Sequence, residues 1–280
     1  MSTLNQRGET GSSQHDPARS DDDDDRPKPT LPNYTDKYHS EALFDPTDAV
    51  TAHGDGLPDV PPVVLLGFQE ALHEAVEERA TEEVSIVRSQ SLYRLSETVG
   101  FVPVQEAGIS APVAAIVAEN LVAAGAEVVL VVAGSGTLQA SLDPDTVVLP
   151  TRAIRDEGVS HHYLPPTAEL TPTESVVASV ASALHDAGFD TARGPTWTTS
   201  ALYRETVAEV ERYTEAGVVS VGMETAAVWA VCRYRDVATA TVHLVDDCLT
   251  SEEWRPEGTG RRSLPELLDP VIEGVAATVK

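Results

Sequence analysis

Glu127-Val128-Val129-Leu130-Val131-Val132-Ala133-Gly134-Ser135-Gly136-Thr137-Leu138-Gln139 is the stretch that decides the fold. Six apolar residues follow Glu127 without a polar break, the pattern of a strand buried on both faces. Such a strand needs a helical layer above it and another below. Working outward, Val63-Val64-Leu65-Leu66 reads as a second buried strand and Gln69–Ala80 as a helix. Strands are expected at 84–90 and 101–106. A helix is expected over 112–124, with Pro112 in its first turn, where the missing N–H costs nothing. Downstream, 146–154, 192–199, 218–221 and 238–245 read as strands, and 174–187, 205–215, 224–234 and 264–279 as helices. The alternation describes one α/β domain with helices on both faces of a mostly parallel sheet.

Residues 1–33 are rich in Ser, Gly, Pro and charge, with five consecutive aspartates at 21–25. Too little apolar surface is present there to offset ordering entropy, so a disordered acidic tail is expected, followed by one domain over 34–280. The 280 residues carry 45 acidic and 19 basic side chains, a formal net charge of −26. That balance argues against nucleic acid and anionic membranes, both of which attract basic faces. No run of 18 apolar residues spans a bilayer, and 1–30 lacks the apolar core of a secretory leader, so a cytoplasmic location is expected. Cys232 and Cys248 make no disulfide framework. Only Lys28, Lys37 and Lys280 are lysines. A surface so acidic and so poor in lysine is expected of a halophilic protein, because molar salt screens its self-repulsion within a few ångströms.

Ligands of open α/β sheets sit at the carboxyl ends of the strands. Four stretches fall there. Gly222-Met223-Glu224-Thr225-Ala226 puts a carboxylate where a buried strand turns into an apolar helix; it reads equally as a helix-start glutamate. Val242-His243-Leu244-Val245-Asp246-Asp247 ends a strand on adjacent acids. Adjacent acids raise one pKa and suit a proton donor, although a strand-ending Asx turn explains them too. Gly134-Ser135-Gly136 lets the backbone approach a ligand, or is a plain tight turn; it is neither a dinucleotide fingerprint nor a P-loop. His161-His162 lacks a third ligand at metal-like spacing, so no metal is expected.

These stretches together resemble the nucleoside phosphorylase family of uridine phosphorylase, hexameric purine nucleoside phosphorylase and the adenosylhomocysteine-type nucleosidases. Gly222–Ala226 is similar to the family's M-E-[AST]-A signature and Gly134–Gln139 to its GTxGALQ loop. Arg155-Asp156-Glu157-Gly158-Val159-Ser160 is similar to its R-D-[DE]-G-[TA]-S stretch. The resemblance covers 34–280. It implies a three-layer phosphorylase/hydrolase-like α/β fold, with a mixed central sheet flanked by helices. It also implies a pentosyltransferase that cleaves the N-glycosidic bond of a purine nucleoside or uridine with inorganic phosphate, with no other cofactor. By the same resemblance, Glu224 holds the ribose hydroxyls over Met223, and Asp246 protonates the leaving base, with Asp247 as the alternative donor. Ser135, Ser110 and Arg88 would bind phosphate, and Gly136, Thr198 and Thr199 would face the base. His39 would reach a neighbouring subunit's ribose, so a homo-oligomer with shared sites is expected, a dimer or a hexamer.

The chain departs from the family in places. Ala71 and Val131 stand where two phosphate-gripping arginines belong, Val113 where a serine does, Gly222 where a second acid precedes the methionine, and Ser200 where a base-pocket aspartate does. Each charge-assisted bond lost is worth about 1.5–3 kcal/mol. Two further readings follow. One is a phosphate-independent nucleosidase, with Glu70 one position from that branch's glutamate. The other is a nucleoside-binding homologue without catalysis.

Overall fold

The structure is a computed structural model that describes residues 35–53, 56–86, 90–256 and 262–279. The expected acidic tail and Arg88 lie outside the described residues.

Ten strands form the sheet: β1 (Val63–Gly67), β2 (Glu82–Ser85), β3 (Ser91–Arg94), β4 (Val99–Pro103), β5 (Val128–Thr137), β6 (Val147–Asp156), β7 (Thr191–Thr199), β8 (Ser220–Gly222), β9 (Ala238–Leu249) and β10 (Trp254–Arg255). Their order is β10-β9-β6-β7-β8-β5-β1-β4-β3-β2. A further pairing of β9 with β5 closes the strands β5, β9, β6, β7 and β8 on themselves, so one end of the sheet is a small barrel. Eight helices are described: α1 (Pro46–Thr51), α2 (Glu70–Glu77), α3 (Ala111–Ala123), α4 (Ser160–Tyr163), α5 (Glu174–Asp186), α6 (Val207–Glu215), α7 (Thr225–Tyr234) and α8 (Leu268–Ala276).

Side-chain alternation along the strands explains the three layers. Val128, Leu130 and Val132 face α2, α5 and α8, where they meet Leu72, Val177 and Val271. Val129, Val131 and Ala133 face α3 and α7, where they meet Ala118 and Val228. Both sets are buried, which is why the run carries no polar residue. At the closed end, Trp197, Val218 and Val221 pack with Leu138 and with Val210 of α6.

The sheet is more evenly mixed than the alternation suggests. β2–β3, β3–β4, β5–β8, β6–β9 and β9–β10 are antiparallel, whereas β1–β4, β1–β5, β5–β9, β6–β7 and β7–β8 are parallel. The stretch 101–106 is strand only to Pro103 and then a 3-10 turn, Val104–Ala107. The stretch 84–90 is not one strand: β2 ends at Ser85, and Ser91–Arg94 returns as a separate antiparallel partner. Helix α6 starts at Val207 and not at 205, because Thr206 caps it and Glu209 bonds back to Thr206 in a capping box. His161-His162 lie in α4.

The largest correction is at Gly134–Gly136. Pattern reading ends the strand at Ala133, but β5 continues to Thr137 and β9 to Leu249, the two pairing along this whole length. Two long strands held side by side past the helical layers give the closed end a rim, and the candidate site lies on that rim.

Candidate active site

Glu224 stands at the head of α7 in the N-cap position, reached by the turn from β8. Its side chain is only 7% exposed, although carboxylates are seldom buried without a partner. One carboxylate oxygen, Oε2, accepts the Met223 N–H at 3.2 Å. Burial pushes its pKa up to about 7, and the Met223 bond only partly offsets this. The turn itself is held from β7: Thr198 pairs with Gly222 in the sheet, and Thr198 Oγ1 accepts the Ala226 N–H at 3.1 Å. Thr198 thus satisfies a free N–H at the start of α7, which Glu224 does not cap by its side chain. Met223 beside it is half-buried.

Asp246 owes its position to a β-bulge. Ser135 pairs with Val245 and Gly136 with Asp247, so Asp246 is the extra residue on β9. A bulge breaks alternation, which lets consecutive side chains lie on one face. A Cβ added at Gly134 would stand 3.3 Å from Asp246 Oδ2 and 3.4 Å from Gln69 Nε2. One added at Gly136 would stand 2.6 Å from Asp247 Oδ1 and 2.9 Å from Val221 Cγ1. The two glycines are the floor on which the carboxylates rest, and any side chain at Gly136 would displace one. Gly136 also joins the site together. Its partner in β8, Val221, leads in three residues to Glu224, and its partner in β9 is Asp247.

The rim is acidic beyond the aspartates. Asp247 is half-buried and accepts the Trp254 indole N–H at 2.7 Å. Its pKa is raised by burial and by Asp246, with the indole bond acting against them. Glu205, just before α6, is pushed up to about 7 by burial and then by Asp247. Glu205 and Trp254 were not among the expected site residues. Glu205 reads in sequence as the first residue of a charged helix, and only the fold brings it near β9.

On the β1 side of Gly134, two neutral groups stand near Asp246. Ser135 Oγ and Gln69 Oε1 are buried without a hydrogen-bond partner, which marks them as available to a ligand. Val131 is fully buried against the α3–α7 layer, where a guanidinium could not be solvated or paired. Ala71 is exposed in the first turn of α2. Ser110 caps α3, its Oγ accepting the Val113 N–H at 3.4 Å. Arg155 at the end of β6 is fully engaged: it donates to Ser160 Oγ and to the carbonyls of Leu164, Pro165 and Ala168. Glu157 accepts the Val159 and Ser160 N–H groups. Asp156 accepts the Trp197 indole N–H at 2.9 Å. The Arg155–Ser160 stretch therefore builds a loop.

Thr199 Oγ1 accepts the Ala201 N–H. His39 is exposed on the turn Thr35–His39, which docks on α4 through the Tyr38 hydroxyl donating to the His161 carbonyl. The structure thus gathers Glu224, Met223, Gly134, Ser135, Gly136, Asp246, Asp247 and Thr198 onto adjoining strand ends, and sets His39 on a separate surface. A cavity of about 1530 Å³ lies elsewhere, between residues 37–58 and helices α3, α4 and α7; neither Glu224 nor Asp246 lines it. No described helix is long and apolar enough to cross a membrane.

Known proteins resemble this chain in sequence and in fold. The guanosine phosphorylase of Halorubrum lacusprofundi is 28% identical over 144 residues, 51% of this chain and 60% of that protein, so the chain spans under two thirds of this relative. The solved purine nucleoside phosphorylase of Toxoplasma gondii in complex with immucillin-H superposes with a TM-score of 0.67 at 21% identity, covering 79% of this chain and 92% of that one. The AMP nucleosidase of Bacteroides thetaiotaomicron superposes with a TM-score of 0.64 at 25% identity, covering 80% of this chain and 92% of that one. A model of the phosphorylase superfamily matches residues 61–263, well over half of the chain, and the chain belongs to that superfamily.

Proposed function

We propose that this protein is a nucleoside phosphorylase, which breaks the N-glycosidic bond of a ribonucleoside and joins the ribose to inorganic phosphate. The observation that carries this reading is a buried carboxylate at the head of α7, just after β8, and a bulge-positioned carboxylate over Gly134 on β9, the two strands both pairing with β5 at Gly136. Glu224, once ionised, accepts the hydroxyl hydrogens of the ribose and favours the positive charge that grows on the sugar ring. Asp246 donates a proton to the departing base as the glycosidic electron pair moves onto it. A phosphate oxygen then forms the new bond at the anomeric carbon. Asp247 and Glu205, both with raised pKa, form a coupled acidic reserve beside that donor. The guanosine phosphorylase relative supports this reaction class.

A second reading has its own observation. The corner beside Gly134 offers a neutral amide and a hydroxyl, Gln69 and Ser135, and Val131 packs into the core. Such a corner suits water as the nucleophile, and the AMP nucleosidase likeness points the same way. Base release from inosine, guanosine, adenosine and uridine, measured with and without phosphate in molar KCl, decides. Phosphate-dependent release with ribose 1-phosphate as product supports the first reading. Phosphate-independent release of free ribose replaces it by the second, and binding without release overturns both.

We further place the protein in the cytoplasm of a halophile, as a homo-oligomer built from one domain over 34–280. The net charge of −26 supports the saline setting, and the exposed His39 supports contact with a partner subunit.

A further inference from the structure

His243 lies on β9, three residues before Asp246, and is 2% exposed. Its two ring nitrogens reach two different elements. Nδ1 is 3.2 Å from Ser220 Oγ on β8, and Nε2 is 3.4 Å from Thr225 Oγ1, the first residue of α7. The hydrogens in this network can be assigned. The Thr196 hydroxyl donates to the Ser220 carbonyl at 3.2 Å. The Ser220 hydroxyl donates to Thr196 Oγ1 at 2.9 Å, so its own hydrogen is spent. Ser220 Oγ therefore accepts from Nδ1–H. In a neutral ring Nε2 is then the acceptor, and the Thr225 hydroxyl donates to it. Gly222 lies against the same ring: a Cβ there would be 3.7 Å from Cε1 and Nε2, so the ring fills the space a longer side chain would need.

We propose that His243 is a positioning residue for Glu224, fixing the Gly222–Thr225 turn between β8 and α7 by bridging Ser220 to Thr225. The turn then has two anchors. Thr198 holds the Ala226 N–H from β7, and His243 holds the Thr225 hydroxyl from β9. Glu224 lies between them and, among the described residues, its side chain accepts one hydrogen bond, from the Met223 N–H. Its carboxylate is thus aimed by its neighbours, and the same strand that carries Asp246 carries the post for Glu224. A residue that acts through another in this way is expected to alter ribose affinity more than the chemical step.

The inference rests on Glu224 binding ribose, and its test separates the two. An asparagine at 243 reaches the Nδ1 place and keeps Ser220, whereas a glutamine reaches the Nε2 place and keeps Thr225. Three variants are compared in molar KCl: His243→Asn, His243→Gln and Thr225→Val, the last nearly isosteric. Amide hydrogen exchange is read over 222–226, and KM and kcat are read for base release from inosine. His243→Asn and Thr225→Val are expected to speed exchange in that segment and to raise KM about tenfold with a smaller change in kcat. His243→Gln is expected to restore most of both. Equal exchange over 222–226 in all three variants, or equal KM in all three, overturns the positioning role. A wild-type protein that releases no base defeats the glycosidic reading instead, and exchange still decides the role of His243.

Discussion

Replacing Glu224 by glutamine separates stability from function. The carboxylate is nearly inaccessible, and burial moves its pKa from an ordinary 4.5 to about 7. Between those values the folded protein keeps a proton that the unfolded chain releases. Stability therefore falls as pH rises from about 4.5 to about 7, and the loss is complete above that. At about 1.4 kcal/mol per pH unit, the ionised carboxylate costs the fold roughly 3 kcal/mol under mildly alkaline conditions. Glutamine has the same shape, carries no charge and can still accept the Met223 N–H. Glu224→Gln is accordingly expected to be more stable than wild type by up to about 3 kcal/mol near pH 8, and about equal near pH 4.5. Nucleoside binding should be lost at both. Urea unfolding at the two pH values, with inosine binding by calorimetry, measures all of this. A variant no more stable than wild type near pH 8, or stabilised equally at both pH values, would refute the burial-driven shift. His243 works in the opposite direction. Complete burial holds its pKa down to about 4, so the stability of its neutral state is lost as pH falls from 6.5 towards 4. In Glu224→Gln this acid-side loss should stand alone.

Wild-type KM for nucleoside should fall as pH rises through about 7, because Glu224 grips hydroxyls only once ionised; a flat KM profile counts against its role. Asp246→Asn should cut base release by about 10²–10⁴-fold with little change in melting temperature, since Asp246 is exposed. Gly136→Ala should lose about 1–3 kcal/mol, because its Cβ would stand 2.5 Å from Leu249 Cδ1 and 2.6 Å from Asp247 Oδ1. Gly134→Ala should lose less, having 3.3 Å to Asp246 Oδ2, and an order reversed in chemical denaturation would contradict this floor. Dialysis from molar to about 0.1 M salt lengthens the screening distance from about 3 to 10 Å and should unfold the protein; an unchanged circular dichroism spectrum would exclude salt dependence.

The sequence by itself determined the layers. Val128–Ala133 carries apolar residues on both faces of one strand, and that is enough to require helices on both sides. It also picked out Glu224 where strand turns to helix and Asp246 where the apolar part of β9 stops, since the change from period 2 to period 3.6 and the end of an apolar run are local signals. Tertiary structure decided the rest, because the deciding forces act between residues far apart in the chain. The return of β9 alongside β5 turned an apparent glycine loop into strand, and its bulge set Asp246 over Gly134. No local pattern could bring Glu205 beside Asp247, or Gln69 beside Gly134. Nor could it tell that Arg155 and Glu157 spend their bonds on a loop. His243 shows the difference most plainly. In sequence it is a polar residue in a strand that also carries threonines, with no mark of its own. Only the closure of β5, β9, β6, β7 and β8 into a ring gives its two nitrogens hydroxyls to meet, and burial there keeps it neutral.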